Sequence, residues 1–312
     1  MTNTISRLDD AARAAWLYYI GGNTQEEIAG KMNISRQSVQ RLVSMAISER
    51  LIKVRLDHPI ANCMELASRL QEKHALDYTE VMPSDPGAAS DGSGLAQAGA
   101  AALEKYLRST KPQIIALGTG RALKAIIDQL VSIDCAQHKI VSLSGNIVPD
   151  GSVSFYNVIF NIADTVTARC FPMSLPIIAT SRKERELLHN QVMIKKPLKL
   201  AAKANVAFVG IGDLGPEAPL HLDGFISKRE LEKLQKAGAV GDIAGWAFDS
   251  NGELIEGIIN HRVASAPIPP REKCRVIALA SGTRKVQAIK AALKGGLING
   301  LITDEITAKA LL

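Results

Sequence analysis

Residues 114–121 read Ile-Ile-Ala-Leu-Gly-Thr-Gly-Arg, and residues 121–131 continue as an apolar-patterned run. Consecutive apolar residues bounded by glycine predict a strand buried on both faces. The stretch is therefore strand, tight turn, helix. Residues 140–143, 206–211 and 276–280 are further apolar runs of strand length, and residues 286–293 and 304–312 carry helical patterns. Strands alternating with helices predict an α/β fold built on a parallel-rich sheet.

In open α/β sheets, ligands collect at the carboxyl ends of strands. Gly118, Thr119 and Gly120 follow the 114–117 strand at such an end. Glycines let backbone N–H groups approach an anion, and the start of the next helix adds a favourable field. Thr119 brings a hydroxyl and Arg121 a positive charge. A second turn, Ala280-Ser281-Gly282-Thr283-Arg284-Lys285, follows the 276–280 strand. Gly282 and Lys285 can meet the same anion from a second strand end, which predicts a shared sugar-phosphate or polyanion site. Tight turns chosen for packing are the alternative. Neither turn fits the Walker or G-x-G-x-x-G patterns, so ATP and dinucleotide cofactors are not predicted. Ser144-Gly145-Asn146, Gly210-Ile211-Gly212-Asp213 and Asp242 are polar groups after strands. Such amides and carboxylates suit sugar hydroxyls, although each alone is also a common turn or cap residue. His221 and Asp223 form an H-x-D without further ligands nearby in sequence, so no metal is expected. No triad-like arrangement predicts a nucleophilic enzyme. The 183–186 charge run reads as a solvated helix face.

The first 56 residues differ in style. Residues 9–20 carry Ala12, Ala15, Trp16, Tyr19 and Ile20 at helical spacing, ended by Gly21-Gly22. Thr24-Gln25-Glu26-Glu27 is a capping-box sequence opening a short helix with Ile28, Ala29 and Met32. Ser35 caps a third helix, expected to run to about residue 50 with Val39, Leu42, Val43 and Ala46 buried. Two helices joined by a tight turn form a helix-turn-helix, whose second helix enters the DNA major groove. Its outward residues are Ser35, Arg36, Gln37, Ser38, Gln40 and Arg41. Arg pairs with guanine and Gln with adenine, while Ser35 suits a phosphate. Residues 51–56 alternate with period two and read as a strand, the start of a small wing. Five basic residues stand against one acidic residue between 35 and 55, so much of the chain's +6 sits there. A plain three-helix bundle or a protein-interaction module is the competing reading.

The 312-residue length predicts two domains, 1–58 for DNA and 59–312 for effector binding and oligomerisation. With 46% apolar and 22% charged residues, the composition is that of a globular protein rather than a disordered one. Aromatics at 4% disfavour stacking on single-stranded nucleic acid. No apolar run is long enough to span a membrane, and no secretory leader is predicted. Four scattered cysteines without C-x-x-C spacing fit a reducing cytoplasm. Residues 83–94 are rich in Pro, Gly, Ser and Asp and are expected to be loop.

Several stretches together resemble the SorC family of sugar-binding bacterial transcriptional regulators. They are residues 35–42, the Leu117–Arg121 turn, Ala163-Asp164 with Phe171-Pro172 and Pro176, and Val209-Gly210-Ile211-Gly212. Gly238-Ala239-Val240-Gly241-Asp242-Ile243-Ala244-Gly245 with Phe248-Asp249 matches most strongly. Residues 288–305 complete the order. The resemblance implies an N-terminal (winged) helix-turn-helix and an effector domain of the sugar-phosphate isomerase and glucosamine-6-phosphate deaminase type, without catalysis. It implies a cytoplasmic tetramer that binds operator double-stranded DNA and answers to a sugar-phosphate or polyol-phosphate effector. By resemblance, Gly118, Thr119, Gly120 and Arg121 fall on one phosphate loop, Gly282 and Lys285 on a second. Asp242 falls at a hydroxyl-binding acid, and Asn146 and Asn157 are carried over with them. Ser144-Gly145-Asn146 and Ala280-Ser281-Gly282 depart from the family's glycine pairs. A sugar-phosphate isomerase-like or deaminase-like enzyme is the alternative function, and a DNA-binding protein without a small ligand is a third.

Overall fold

The computed structural model describes residues 2–49, 51–52, 60–84, 93–148, 151 and 156–312. They divide into two compact units, Met1–His58 and Pro59–Leu312.

The smaller unit is three helices, α1 (Thr2–Tyr19), α2 (Gln25–Met32) and α3 (Arg36–Ser48). Thr24 and Glu27 close the expected capping box on α2, and Ser35 accepts the Ser38 N–H at 3.1 Å to start α3. Asn33 takes φ 53°, a left-handed turn residue that redirects the chain between them. Val39, Val43 and Ala46 are buried, as their spacing predicts. On α1 the buried face is different from the apparent apolar stripe. Ala11, Ala14 and Ala15 are fully buried, while Trp16, Tyr19 and Ile20 are exposed. Ala11 and Ala15 cluster with Ala46, so small side chains bring the helices into close contact. Leu51 and Ile52 carry no strand, and residues 53–56 of the expected wing lie outside the described residues.

The larger unit contains ten strands and ten α-helices among its described residues. The strands are β1 (Tyr78–Met82), β2 (Ile114–Leu117), β3 (Lys139–Ile147), β4 (Arg169–Pro176), β5 (Val206–Gly210), β6 (Gly212–Asp213), β7 (Ala239–Ile243), β8 (Trp246–Asp249), β9 (Arg275–Leu279) and β10 (Gly300–Asp304). The helices are α4 (Ala61–His74), α5 (Ser93–Leu107), α6 (Arg121–Ile127), α7 (Val158–Ala163), α8 (Arg182–Asn190), α9 (Val192–Ala201), α10 (Pro219–Leu222), α11 (Lys228–Lys236), α12 (Val286–Lys294) and α13 (Glu305–Leu311).

Seven strands form one sheet in the order β1-β10-β9-β5-β2-β3-β4, and every pairing in it is parallel. Phe208, Ile115 and Leu117 are fully buried within it, as strands covered on both faces must be. Pro172 and Pro176 lie in β4, which is an edge strand, where a missing N–H costs no internal ladder bond. β6, β7 and β8 make a second, antiparallel sheet. The 183–186 charge run lies on α8, which buries none of its residues.

Four expected boundaries move. The expected loop at 83–94 includes Ser93 and Gly94, which instead open α5, and residues 85–92 of it lie outside the described residues. The helix expected over 121–131 ends at Ile127. α3 stops at Ser48. Ser144, Gly145 and Asn146 belong to β3 rather than to a turn after it, because β3 keeps pairing with β4 through two register shifts.

Candidate functional site

The chain leaves β2 for β3 and β4 on one side, whereas β5, β9 and β10 lie on the other. The crevice at the carboxyl ends of β2 and β5 is thus a topological switch point, where α/β sheets take ligands. A cavity of about 150 Å³ opens there. Thr119, Arg121, Asp213, Asp223, Asp242 and Lys285 line it, with Tyr156 and Phe225. Its scale is that of about five waters.

Two glycines set the turns beside it by conformation. Gly120 takes φ 116° and Gly282 φ 104°, and a Cβ at either would meet nothing within 4 Å. The backbone therefore demands glycine at both places while the space beyond stays open. Gly118 is different, since a Cβ there would lie 3.4 Å from the Phe208 oxygen. That is an ordinary contact distance, and Gly118 does not line the cavity. Gly282 also lies outside the lining; its N–H donates to Thr307 Oγ1 at 2.8 Å.

Thr119 and Arg121 extend from the turn after β2. The Thr119 hydroxyl donates to the Tyr156 carbonyl at 3.0 Å. Arg121 Nε donates to the Tyr156 hydroxyl at 2.8 Å and a terminal nitrogen to Asp223 Oδ1 at 3.2 Å. The Tyr156 hydroxyl in turn faces that same Oδ1 at 3.5 Å.

Asp242 sits on β7, opposite Gly212. A Cβ on Gly212 would lie 2.1 Å from Asp242 Oδ1, so any side chain there would push the Asp242 carboxylate from its place. The Asp242 carboxylate is buried and accepts the Gly245 N–H at 3.0 Å. Burial pushes its pKa up to about 6, against the opposing pull of that N–H and of Lys285. Burial lowers the Lys285 pKa, against the attraction of Asp213 and Asp242. Lys285 nevertheless forms no ion pair within 4.0 Å among the described residues. Asp213 Oδ1 is buried without a hydrogen-bond partner. One ammonium and two carboxylates thus face a small, partly open space with donor and acceptor capacity unspent.

Asn146 and Asn157 do not line the cavity. Asn146 lies within β3, and Asn157 holds the N-cap position of α7 without a side-chain cap bond. Both side-chain amide oxygens are buried without a hydrogen-bond partner among the described residues. Asp213 was visible as a polar group after a strand. Tyr156 carries no site signal in the sequence and Asp223 stands out only in an H-x-D weighed for metal, because only the tertiary fold brings them to Arg121.

In the smaller unit, residues 33–35 separate α2 from α3. Ser35, Arg36, Gln37, Gln40 and Arg41 are exposed, and Ser38 is half-buried beneath its bond to Ser35. Arg36 leans towards Glu26 at 3.8 Å, both side chains largely solvent-exposed. Screening leaves such a pair worth little, so it does not immobilise Arg36. No metal-ligating cluster and no helix long and apolar enough to cross a membrane occur among the described residues.

Residues 58–312 match the family model described as "Putative sugar-binding domain". The chain is 32% identical over 302 residues to the erythritol catabolism regulatory protein EryD of Brucella abortus (strain 2308), covering 97% of this chain and 96% of that protein. It is 32% identical over 309 residues to the transcriptional regulator LsrR of Escherichia coli (strain K12), covering 97% and 94%. Its fold matches the crystal structure of the full-length sorbitol operon regulator SorC from Klebsiella pneumoniae with a TM-score of 0.74 at 24% identity, over 96% of this chain and 97% of that one. With the family model covering the whole larger unit and full-length relatives at this identity, the chain belongs to the SorC family of sugar-binding transcriptional regulators.

Proposed function

We propose that this protein is a DNA-binding regulator of a carbohydrate or polyol catabolic operon, controlled by a small phosphorylated sugar or polyol. The observation that carries the reading is the cavity, where Arg121 and Lys285 supply positive charge and Asp213 and Asp242 supply hydroxyl acceptors. A phosphate suits the cations and the Thr119 turn, and a short polyhydroxy chain suits the two carboxylates. EryD is named for erythritol catabolism, and a four-carbon polyol phosphate is in keeping with the cavity's modest volume. Residues 1–58 then form a helix-turn-helix domain, with α3 reading operator DNA through Ser35, Arg36, Gln37, Ser38, Gln40 and Arg41. Residues 59–312, an effector domain of the sugar-phosphate isomerase type in fold, bind the effector and assemble a cytoplasmic tetramer. The effector acts through its differential affinity for two arrangements of the reading helices.

The test is fluorescence anisotropy on DNA fragments selected by the protein, titrated with sugar and polyol phosphates. A phosphate that calorimetry shows to bind should shift operator affinity at least fivefold, on the order of a 1 kcal/mol coupling. Binding without any shift in operator affinity sinks the regulatory reading. The enzymatic reading draws on one observation, the Asp242 pKa near 6 beside Lys285, a value suited to a general acid or base. Turnover assays on pentose and hexose phosphates test it.

A further inference from the structure

Arg121, a largely exposed cation of the cavity, is already engaged. Its Nε donates to the Tyr156 hydroxyl and its terminal nitrogen to Asp223 Oδ1. The Tyr156 hydroxyl points at the same carboxylate oxygen. Two donors therefore converge on one anionic oxygen at the cavity wall, the arrangement a phosphate oxygen would require of them. Asp223 follows α10 directly, where its N–H bonds back to Pro219 at 2.9 Å. Gly224 then turns with φ 79°. The backbone at Asp223 is anchored, while its carboxylate is carried on only two rotatable bonds. The Asp223 side chain is 16% exposed and that of Arg121 62% exposed, so the pair sits at the boundary between cavity and solvent.

We propose that Asp223 is a built-in competitor for the effector's anionic group: it occupies the Arg121–Tyr156 donor pair until a phosphate takes its place. This rests on the reading of the cavity as a phosphorylated-effector site. A neutral polyol gains nothing at Arg121 by displacing a carboxylate from it. A phosphate brings greater charge and more acceptor oxygens, and wins the guanidinium. Asp223 therefore raises the concentration of phosphorylated ligand at which the regulator responds and leaves the affinity for a neutral polyol unchanged. The displaced carboxylate turns to solvent by side-chain rotation, and no covalent step is involved.

The experiment is isothermal calorimetry on the full chain with inorganic phosphate, erythritol 4-phosphate and erythritol. Wild type is compared with Asp223→Asn, Asp223→Ser and Arg121→Ala, each checked for folding by thermal unfolding. Removing the competitor should tighten both phosphate probes by roughly three- to fivefold, the range of a partly exposed ion pair, and leave erythritol unchanged. The serine variant should do the same, which separates loss of charge from a local packing change in the asparagine variant. Phosphate probes that bind both Asp223 variants no tighter than wild type overturn the proposal. So does equal tightening for erythritol, since Asp223 would then merely obstruct the cavity. If wild type binds the phosphates through Arg121 and the Asp223 variants change nothing, the inference fails and the functional reading stands. If no phosphate binds any of the proteins, both fall.

Discussion

Asp242→Asn separates what the cavity is built for from what it costs. The wild-type carboxylate is buried, and its pKa rises from the ordinary 3.8 to about 6 on folding, chiefly through burial. At 1.36 kcal/mol per pH unit, keeping it ionised at neutral pH costs the fold about 3 kcal/mol. The sign follows from proton uptake. Between pH 4 and pH 6 the folded state holds a proton that the unfolded state releases, so this group's penalty grows as pH rises through that window. It is fully present above pH 6 and absent below 3.8. Asparagine keeps an acceptor for the Gly245 N–H and carries no charge. Lys285 loses an acidic neighbour in exchange, which offsets part of the gain. The expected net stabilisation at pH 7.5 is about 1–2 kcal/mol, or roughly 2–8 °C in Tm for a unit of this size. Thermal unfolding of the larger unit at pH 7.5 and pH 4 measures it, and the gap should narrow at the lower pH. A variant less stable than wild type at pH 7.5, or a gap that ignores pH, refutes the electrostatic account. The same variant should bind effector more weakly, since a hydroxyl acceptor is lost.

Gly120→Ala and Gly282→Ala should each destabilise by about 1–2 kcal/mol in urea unfolding, because both positions hold φ above 100° with no crowding to relieve. An unchanged midpoint would show that the turns relax freely. Asn260→Ala removes a buried amide that donates to Ala247 and Ile255 carbonyls and accepts from the Ala247 N–H. It should cost about 2–4 kcal/mol by stranding those groups, read as a lowered denaturation midpoint. Arg36→Ala and Gln37→Ala should each weaken operator binding by about 1–3 kcal/mol in anisotropy titrations. If both variants discriminate operator from random DNA as wild type does, α3 is not the reader.

Legibility followed how much of each element's cause is local. β2, β5 and β9 were readable because strands buried on both faces are uninterrupted apolar runs. β4 was not, since Pro172 and Pro176 read as breakers and are tolerated only because the strand ends the sheet. β6 to β8 are short, and β6 finds its partner β7 only across a long stretch of chain, so no local period announces them. On α1, hydrophobicity pointed to Trp16 and Ile20, while helix-to-helix distance selected alanines for the buried face. In the cavity, Thr119, Gly120, Arg121, Asp242 and Lys285 were visible because turns and strand ends are local facts. Asp223 and Tyr156 became site residues only through the fold.

The edge strand β1 pairs with β10, residue for residue from Tyr78 with Gly300 to Met82 with Asp304. Asp77 and Asn299, bonded beside them, stand 222 residues apart in the chain. During synthesis, β1 therefore waits for almost the whole larger unit before its partner emerges. The three helices of the first unit need no such delay, because their contacts are all near in sequence. Non-local pairing of this kind is slow to form and leaves a strand edge unpaired meanwhile. The order of synthesis thus lets α1, α2 and α3 fold while the cavity is still unassembled, since Lys285 and β10 arrive last. A nascent chain would complete its first unit well before the pocket at the sheet's carboxyl edge exists.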